Sequence, residues 1–270
     1  MPQSVRLVAV GEELLFAASC GASRPIYGLY REAEGLIQLL SAVRWRSELL
    51  QRVGTVNPAA PAGDHCLELT IGVTPVIIEL PAPIPLPASV ELLAGYEGVD
   101  ARRAGLVPDG GLGSNRVLLA GAGSLGSKIG AALAVAGVGR IEALDRECFD
   151  TANLARHTGN LLDLGRRKAD VLAEQASLRL SVGRPLPLDI TELASDQLDG
   201  LVRGASLVIG TMDSPVAMFL LNEALIRTGT PGLFAQAYER ACGGEILVVP
   251  GGRAPCLFCA TGFRVGLEAG

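Results

Sequence analysis

Asn115-Arg-Val-Leu-Leu-Ala-Gly121-Ala-Gly123-Ser-Leu-Gly126-Ser-Lys128 is the stretch whose reading decides the fold. Val117, Leu118, Leu119 and Ala120 form a short apolar run of the kind buried on both faces of a parallel sheet. Three glycines spaced GxGxxG follow, and an apolar helical pattern runs from Leu125 to Ala136. Strand, glycine turn and helix in that order are what a nucleotide-phosphate cradle requires, although GxGxxG alone is a weak signal. Gly121 allows the tight turn, Gly123 lets the backbone approach a phosphate, and Gly126 lets the helix pack closely on the strand. The phosphate would rest on N–H groups at a helix N-terminus.

Downstream, Gly137-Val-Gly139 marks a helix stop, and Arg140–Leu144 reads as a second strand ending in Asp145. That carboxylate lies 24 residues after Gly121, at the place where an acidic residue accepts ribose hydroxyls. To this point an NAD-dependent oxidoreductase fits as well as any other nucleotide enzyme.

Composition narrows the classes. With 270 residues, 49% hydrophobic, the chain has room for one large or two modest domains. A net charge of −5 without a long basic run argues against nucleic acid as a partner. No apolar run reaches the ~18 residues of a membrane span. No basic-then-apolar leader opens the chain, so the six cysteines are expected as reduced thiols in a cytoplasmic protein.

The first hundred residues read as a small α+β domain, 1–110. Val5–Val10 and Glu13–Ala18 suggest a hairpin across Gly11-Glu12, and Pro25–Tyr30 a third strand. Leu36, Ile37, Leu39, Leu40 and Val43 fit a helical stripe, and Glu48–Val53 a second helix stopped by Gly54. Cys66–Ile71 and Pro75–Leu80 fit a further strand pair. Three strands and two helices resemble, in outline, the winged-helix peptide-clamp domains fused to some peptide-modifying adenylating enzymes. Residues 57–63 are a Pro/Ala/Gly linker and 81–87 a proline-rich spacer.

Beyond Asp145 the sequence turns away from oxidoreductases. Asp145-Arg-Glu147, Asn153-Leu-Ala-Arg156-His157, Gly165-Arg-Arg-Lys168, Thr211-Met-Asp213-Ser214, Asn222 and Cys256-Leu-Phe-Cys259 occur in order. Together with the glycine loop they closely resemble the ThiF/MoeB/HesA family, the adenylating enzymes related to ubiquitin-activating proteins, over about residues 114–262. The resemblance implies a Rossmann-like, doubly wound, mostly parallel α/β sheet in a domain spanning 111–270. It also implies adenylation of a C-terminal carboxylate by ATP, with release of pyrophosphate. The acceptor would be a ubiquitin-like or sulfur-carrier protein, or a ribosomal peptide, and the enzyme a homodimer.

The family pattern assigns roles residue by residue. Gly121, Gly123 and Gly126 would cradle ATP, with Asp145, then Glu147, taking the ribose and Asn153 a polar contact. Arg156 and Lys168 would be the phosphate cations and Asp213 the catalytic carboxylate holding Mg2+. Cys256 and Cys259 would be half of a Zn2+ site. Cys66, Cys148 and Cys242 read as structural. Departures exist too. Met218 stands where the family usually has an arginine, and Tyr96, Arg102 and Arg103 only roughly match its upstream arginine segment. A second CxxC and the later strands are missing, so the domain reads as truncated at its C-terminus. Met218 also keeps open a non-catalytic, leader-peptide-binding module.

Overall fold

The computed structural model describes residues 5–20, 22–41, 51–56, 65–93, 111–179, 181–238, 242–251 and 255–260. It divides into two compact units, Met1–Val107 and Pro108–Gly270.

The second unit is a six-stranded sheet made of β8 (Arg116–Ala120), β9 (Arg140–Leu144), β10 (Val182–Leu186), β11 (Leu207–Gly210), β12 (Gly232–Ala237) and β13 (Gly244–Val249). Its order is β10-β9-β8-β11-β12-β13; all neighbours are parallel except β12 and β13. The expected Rossmann-like, mostly parallel sheet is therefore what these residues form. Both faces are covered. Val117 and Leu119 pack with Ala134 of α2 (Ser124–Val135) and Ala169, Leu172 and Ala176 of α3 (Lys168–Ser177). Leu118 and Ala120 face the other way, onto Leu198 and Val202 of α4 (Ser195–Val202) and Ala217 and Leu221 of α5 (Pro215–Thr228). Two-sided burial explains why β8 is an unbroken apolar run rather than an alternating one.

The chain steps from β8 to β9 and β10 on one side, then returns to β11 on the other. The order thus reverses between β8 and β11. In open α/β sheets a ligand crevice forms beyond the carboxyl ends of the strands at that reversal. Asp145 leaves β9, the glycine loop leaves β8 and Thr211-Met-Asp213 leaves β11, in register at Leu144, Ala120 and Gly210.

The first unit departs from the sequence expectation. Its seven-stranded mixed sheet has the order β5-β6-β4-β2-β3-β1-β7, built from β1 (Arg6–Val10), β2 (Arg24–Arg31), β3 (Leu36–Ser41), β4 (Gln51–Val56), β5 (Cys66–Ile71), β6 (Thr74–Glu79) and β7 (Ser89–Leu93). The second arm of the expected hairpin is instead a helix, α1 (Gly11–Ser19). Leu14 and Ala17, three apart, are fully buried while Phe16 is exposed, which is helical spacing in a run of good helix formers. The expected helix after Glu32 is the strand β3, where Ile37 and Leu39 are buried with period two. Gly54 does not stop a helix; it lies within β4, opposite Ile26 of β2. The winged-helix outline is thus replaced by a sheet with one α-helix among the described residues. Val43 and residues 48–50 lie outside the described residues. The expected pair over 66–80 is β5 and β6, which are antiparallel. No helix among the described residues is long and apolar enough to cross a membrane.

A buried carboxylate ties the sheet of the second unit. Glu142 on β9 is fully buried; Arg116 on β8 donates to it at 2.6 and 3.1 Å, and Arg184 on β10 at 3.2 Å. Arg116 also reaches the carbonyls of Leu201 and Arg203, at the end of α4. Removing one partner of such a pair strands a buried charge. Arg116→Met should therefore cost about 3 kcal/mol in denaturant melts, and adding Glu142→Leu should recover much of it, as apolar replacement of both partners often does.

Candidate functional site

The glycine loop is built as its spacing requires. Gly121 has φ +95°, and a Cβ at Gly126 would stand 1.9 Å from the Gly121 carbonyl oxygen. A Cβ at Gly123 would meet nothing within 4 Å, so that glycine faces open space. Thr211 Oγ1 donates to the Gly121 carbonyl at 2.7 Å, joining the loops after β8 and β11 across the crevice.

Asp145 is half-buried, and both its oxygens already accept backbone N–H groups, Ala122 at 2.8 Å and Glu147 at 2.8 Å. Burial raises its pKa above the ordinary carboxylate value; the two N–H groups and the Lys168 ammonium oppose that rise. Each carboxylate oxygen keeps a second lone pair, which leaves room for a ribose hydroxyl.

Lys168 is buried at the first position of α3 and donates to the exposed Glu147 carboxylate at 2.5 Å. A cation at a helix N-terminus opposes the helix dipole, and Glu147 offsets that cost. The structure therefore makes Glu147 the resting partner of Lys168. Arg156 is exposed, while its carbonyl is fastened by Ser124 Oγ at 3.1 Å and by Lys128 Nζ, both from the first turns of α2. Asn153 is buried, and its Oδ1 accepts the Asp150 N–H at 2.9 Å while Asp150 accepts from Asn153 in return. Its backbone carbonyl oxygen accepts the N–H groups of Arg156 at 2.9 Å and His157 at 2.8 Å, closing the turn that presents Arg156.

Asp213 is exposed beyond β11 and has no partner among the described residues. It does not cap α5. Ser214 does that, accepting from the Ala217 N–H at 3.3 Å with Pro215 at the first helical position. Mg2+ is held by one or two carboxylates together with substrate phosphates, a role a free carboxylate at this edge fits. Met218 is buried in the core beneath the sheet, so α5 sends no cation from that position.

The sulfurs of Cys256 and Cys259 lie 3.6 Å apart. Two thiolates on one tetrahedral zinc at about 2.3 Å would be roughly 3.8 Å apart, so the pair fits half a site. Burial pushes the Cys256 thiol up, but N–H groups of Cys259 and Phe258, the Cys259 thiol and the Asn222 amide bring it below the ordinary value. Among the described residues no third histidine, cysteine or carboxylate joins them. Cys148 and Cys242 are exposed and Cys66 is half-buried, so none of the three is a core residue as expected. Tyr96, Arg102 and Arg103 lie outside the described residues.

Four contributors went unassigned in the sequence reading: Ser124, Lys128, His157 and Thr211. Lys128, a cation two residues after GxGxxG, and His157 and Thr211, within the motifs already quoted, stand in the sequence without a sign of these bonds.

A mostly parallel α/β sheet with a glycine loop, two cations and a free carboxylate after its carboxyl ends has the form of a nucleotide-binding unit of the doubly wound class. Residues 105–266 match the ThiF family, and the chain belongs to it. Among curated proteins it is 28% identical over 160 residues to the adenylyltransferase and sulfurtransferase UBA4 of Yarrowia lipolytica, covering 57% of this chain and 40% of that protein. It is 28% identical over 149 residues to the sulfur carrier protein ThiS adenylyltransferase of Bacillus subtilis, covering 53% and 43%. The chain therefore spans less than half the length of either. Among solved structures, E. coli MccB with succinimide overlays with a TM-score of 0.49 at 21% identity, covering 58% of this chain and 48% of that one.

The loop geometry separates two alanine variants. Gly126→Ala should unfold or strongly destabilise the unit, because its Cβ collides with backbone at 1.9 Å. Gly123→Ala should melt within a degree or two of the parent yet lose most ATP affinity, because its Cβ enters the space a phosphate needs. Thermal melts and calorimetry check both.

Proposed function

We propose that this chain carries the adenylation site of an enzyme that activates the C-terminal carboxylate of a sulfur-carrier or ubiquitin-like protein, or of a peptide. The observation that carries the reading is the gathering of the Gly121–Gly126 loop, Arg156, Lys168 and Asp213 at one carboxyl edge of a ThiF-family sheet. The names of the curated relatives, adenylyltransferases acting with sulfur transfer, support the same acceptor class.

In the proposed reaction a substrate carboxylate oxygen attacks the α-phosphorus of ATP. A bond forms from that oxygen to phosphorus, the bond to the β-phosphate bridging oxygen breaks, and pyrophosphate leaves with its electron pair. The product is an acyl adenylate. Negative charge gathers on the α-phosphate and on the departing pyrophosphate, so oriented N–H groups and cations speed the step. The glycine loop supplies N–H groups, and Asp145 orders the ribose. Arg156 takes the outer phosphates. Lys168 exchanges its Glu147 partner for phosphate oxygen and stays neutralised throughout. Asp213 positions Mg2+, which when bound polarises the phosphoryl oxygens. The nicotinamide-dependent reading leaves both cations and Asp213 without a task.

Burial of Met218 favours one rival, a leader-peptide-binding module that keeps the fold without turnover. Exchange of labelled pyrophosphate into ATP separates the two. We expect exchange that depends on an added polypeptide with a free C-terminus, reduced at least a hundredfold in Asp213→Ala. Exchange unaffected by that substitution would overturn the role of Asp213. ATP binding without exchange for any ubiquitin-like or peptide C-terminus would favour the module.

A further inference from the structure

His157 sits immediately after Arg156, is buried, and has no task in the reaction just described. Both its ring nitrogens are engaged. Nε2 lies 2.7 Å from the carbonyl oxygen of Ala122, between the first two loop glycines, and Nδ1 accepts the Gly159 N–H at 2.8 Å. An N–H can only donate, so Nδ1 carries no proton; the ring proton is on Nε2, and the Nε2–H donates to Ala122. Phe149 meets the ring edge-on, with centroids 5.0 Å apart. The ring is thus fixed in position, tautomer and tilt.

We propose that His157 is a positioning residue that aims the Gly123 N–H at the nucleotide phosphates by holding the other end of the same peptide unit. In a trans peptide the C=O and the following N–H point in opposite directions across one plane. Anchoring the Ala122 carbonyl on His157 therefore turns the Gly123 N–H to the opposite side. That N–H has no acceptor among the described residues, and Gly123 faces open space. Asp145 holds the preceding peptide by its own N–H, that of Ala122, at 2.8 Å. Ala122 is therefore held at both ends, so the peptide carrying the Gly123 N–H cannot flip without breaking the His157 bond. The same residue joins the Arg156 segment to the loop, so the donor and the cation move as one.

Charged groups near the ring define how acid acts on it. Burial pushes the imidazole below its ordinary value and the Lys168 ammonium on α3 adds to this. The Ala122 carbonyl, Asp145 after β9 and Asp163 in the 161–163 turn oppose it. The neutral ring is favoured by folding, so its contribution is complete above the ordinary histidine pKa of about 6.5. It is lost as pH falls from there through the depressed value. Protonation would place a proton on Nδ1 facing the Gly159 N–H.

The inference rests on the nucleotide reading above, and its test separates the two failures. Binding of a non-hydrolysable ATP analogue with Mg2+ is measured on the full chain for the parent, His157→Phe and His157→Gln. Loss of one net hydrogen bond corresponds to about a fivefold to tenfold weaker Kd in the Phe variant. The Gln amide can donate to Ala122, so it should recover most of that affinity. Parent affinity should fall with acid across the stated window while that of the Gln variant stays flat. Nitrogen spectra of the ring should show the proton on Nε2. Parent-like affinity in the Phe variant, or a proton on Nδ1, overturns the proposal. Should the Phe variant not fold, the Gln profile and the parent's ring spectrum decide. A parent that binds no ATP while its ring carries the Nε2 proton overturns the nucleotide reading and the aiming role, and leaves the loop tie standing.

Discussion

One residue of the glycine loop, Ala122, is held at both ends, its N–H by Asp145 and its C=O by His157, each across more than twenty residues of chain. Asp145 belongs to the end of β9, and His157 to the segment that presents Arg156. Through those two bonds a loop that glycine leaves conformationally free is given one conformation. The cost of ordering glycine is large, and a cradle that ordered itself only on binding would lose that amount from its affinity. Preorganisation here comes from neighbouring segments of chain rather than from the loop.

The same edge keeps its cations occupied. Lys168 rests on Glu147, and Lys128 rests on backbone carbonyls of Ser124 and Arg156. A buried ammonium without a counter-charge would shed its proton or destabilise the fold. Glu147 is mostly exposed, so water would readily solvate it on the proposed turn of Lys168 to a phosphate. A partner that leaves cheaply is what an exchangeable cation needs, whereas Arg116, bound to the fully buried Glu142, has no comparable freedom. Two pairs of similar composition thus serve different ends, and the exposure of the carboxylate separates them.

How much was legible in the sequence follows the same physics. The glycine loop was legible because each glycine answers a steric demand made within a few residues. The β8 run was legible for a similar reason of short spacing, whereas Asp145 was placed by its distance from Gly121 and the Asn153–Lys168 order by the family resemblance. The first unit was not, because Glu13–Ala18 and Leu36–Leu40 are short apolar runs that fit helix or strand equally until neighbours decide. Leu39 faces the core only because β2 and β1 flank it. His157 was visible as a residue but not as a tie, since its meaning lies in a carbonyl 35 positions away. The family resemblance makes Glu147 the second choice after Asp145 for the ribose; that Lys168 reaches back to it depends on where α3 begins.

Charge at the carboxyl edge closes the argument. The residues assigned to the proposed site are three cations, Lys128, Arg156 and Lys168, and three carboxylates, Asp145, Glu147 and Asp213. An edge so balanced does not attract a bare triphosphate strongly, and Asp213, the one carboxylate of the three with neither a hydrogen bond nor an ion pair among the described residues, would repel it. A divalent cation reverses that sign, since it binds a carboxylate and phosphate oxygens together. On the proposed reading the free carboxylate would therefore favour the metal–nucleotide complex over the nucleotide alone. It would do so at the strand reversal, where the loop that carries it is already joined to Gly121 by Thr211.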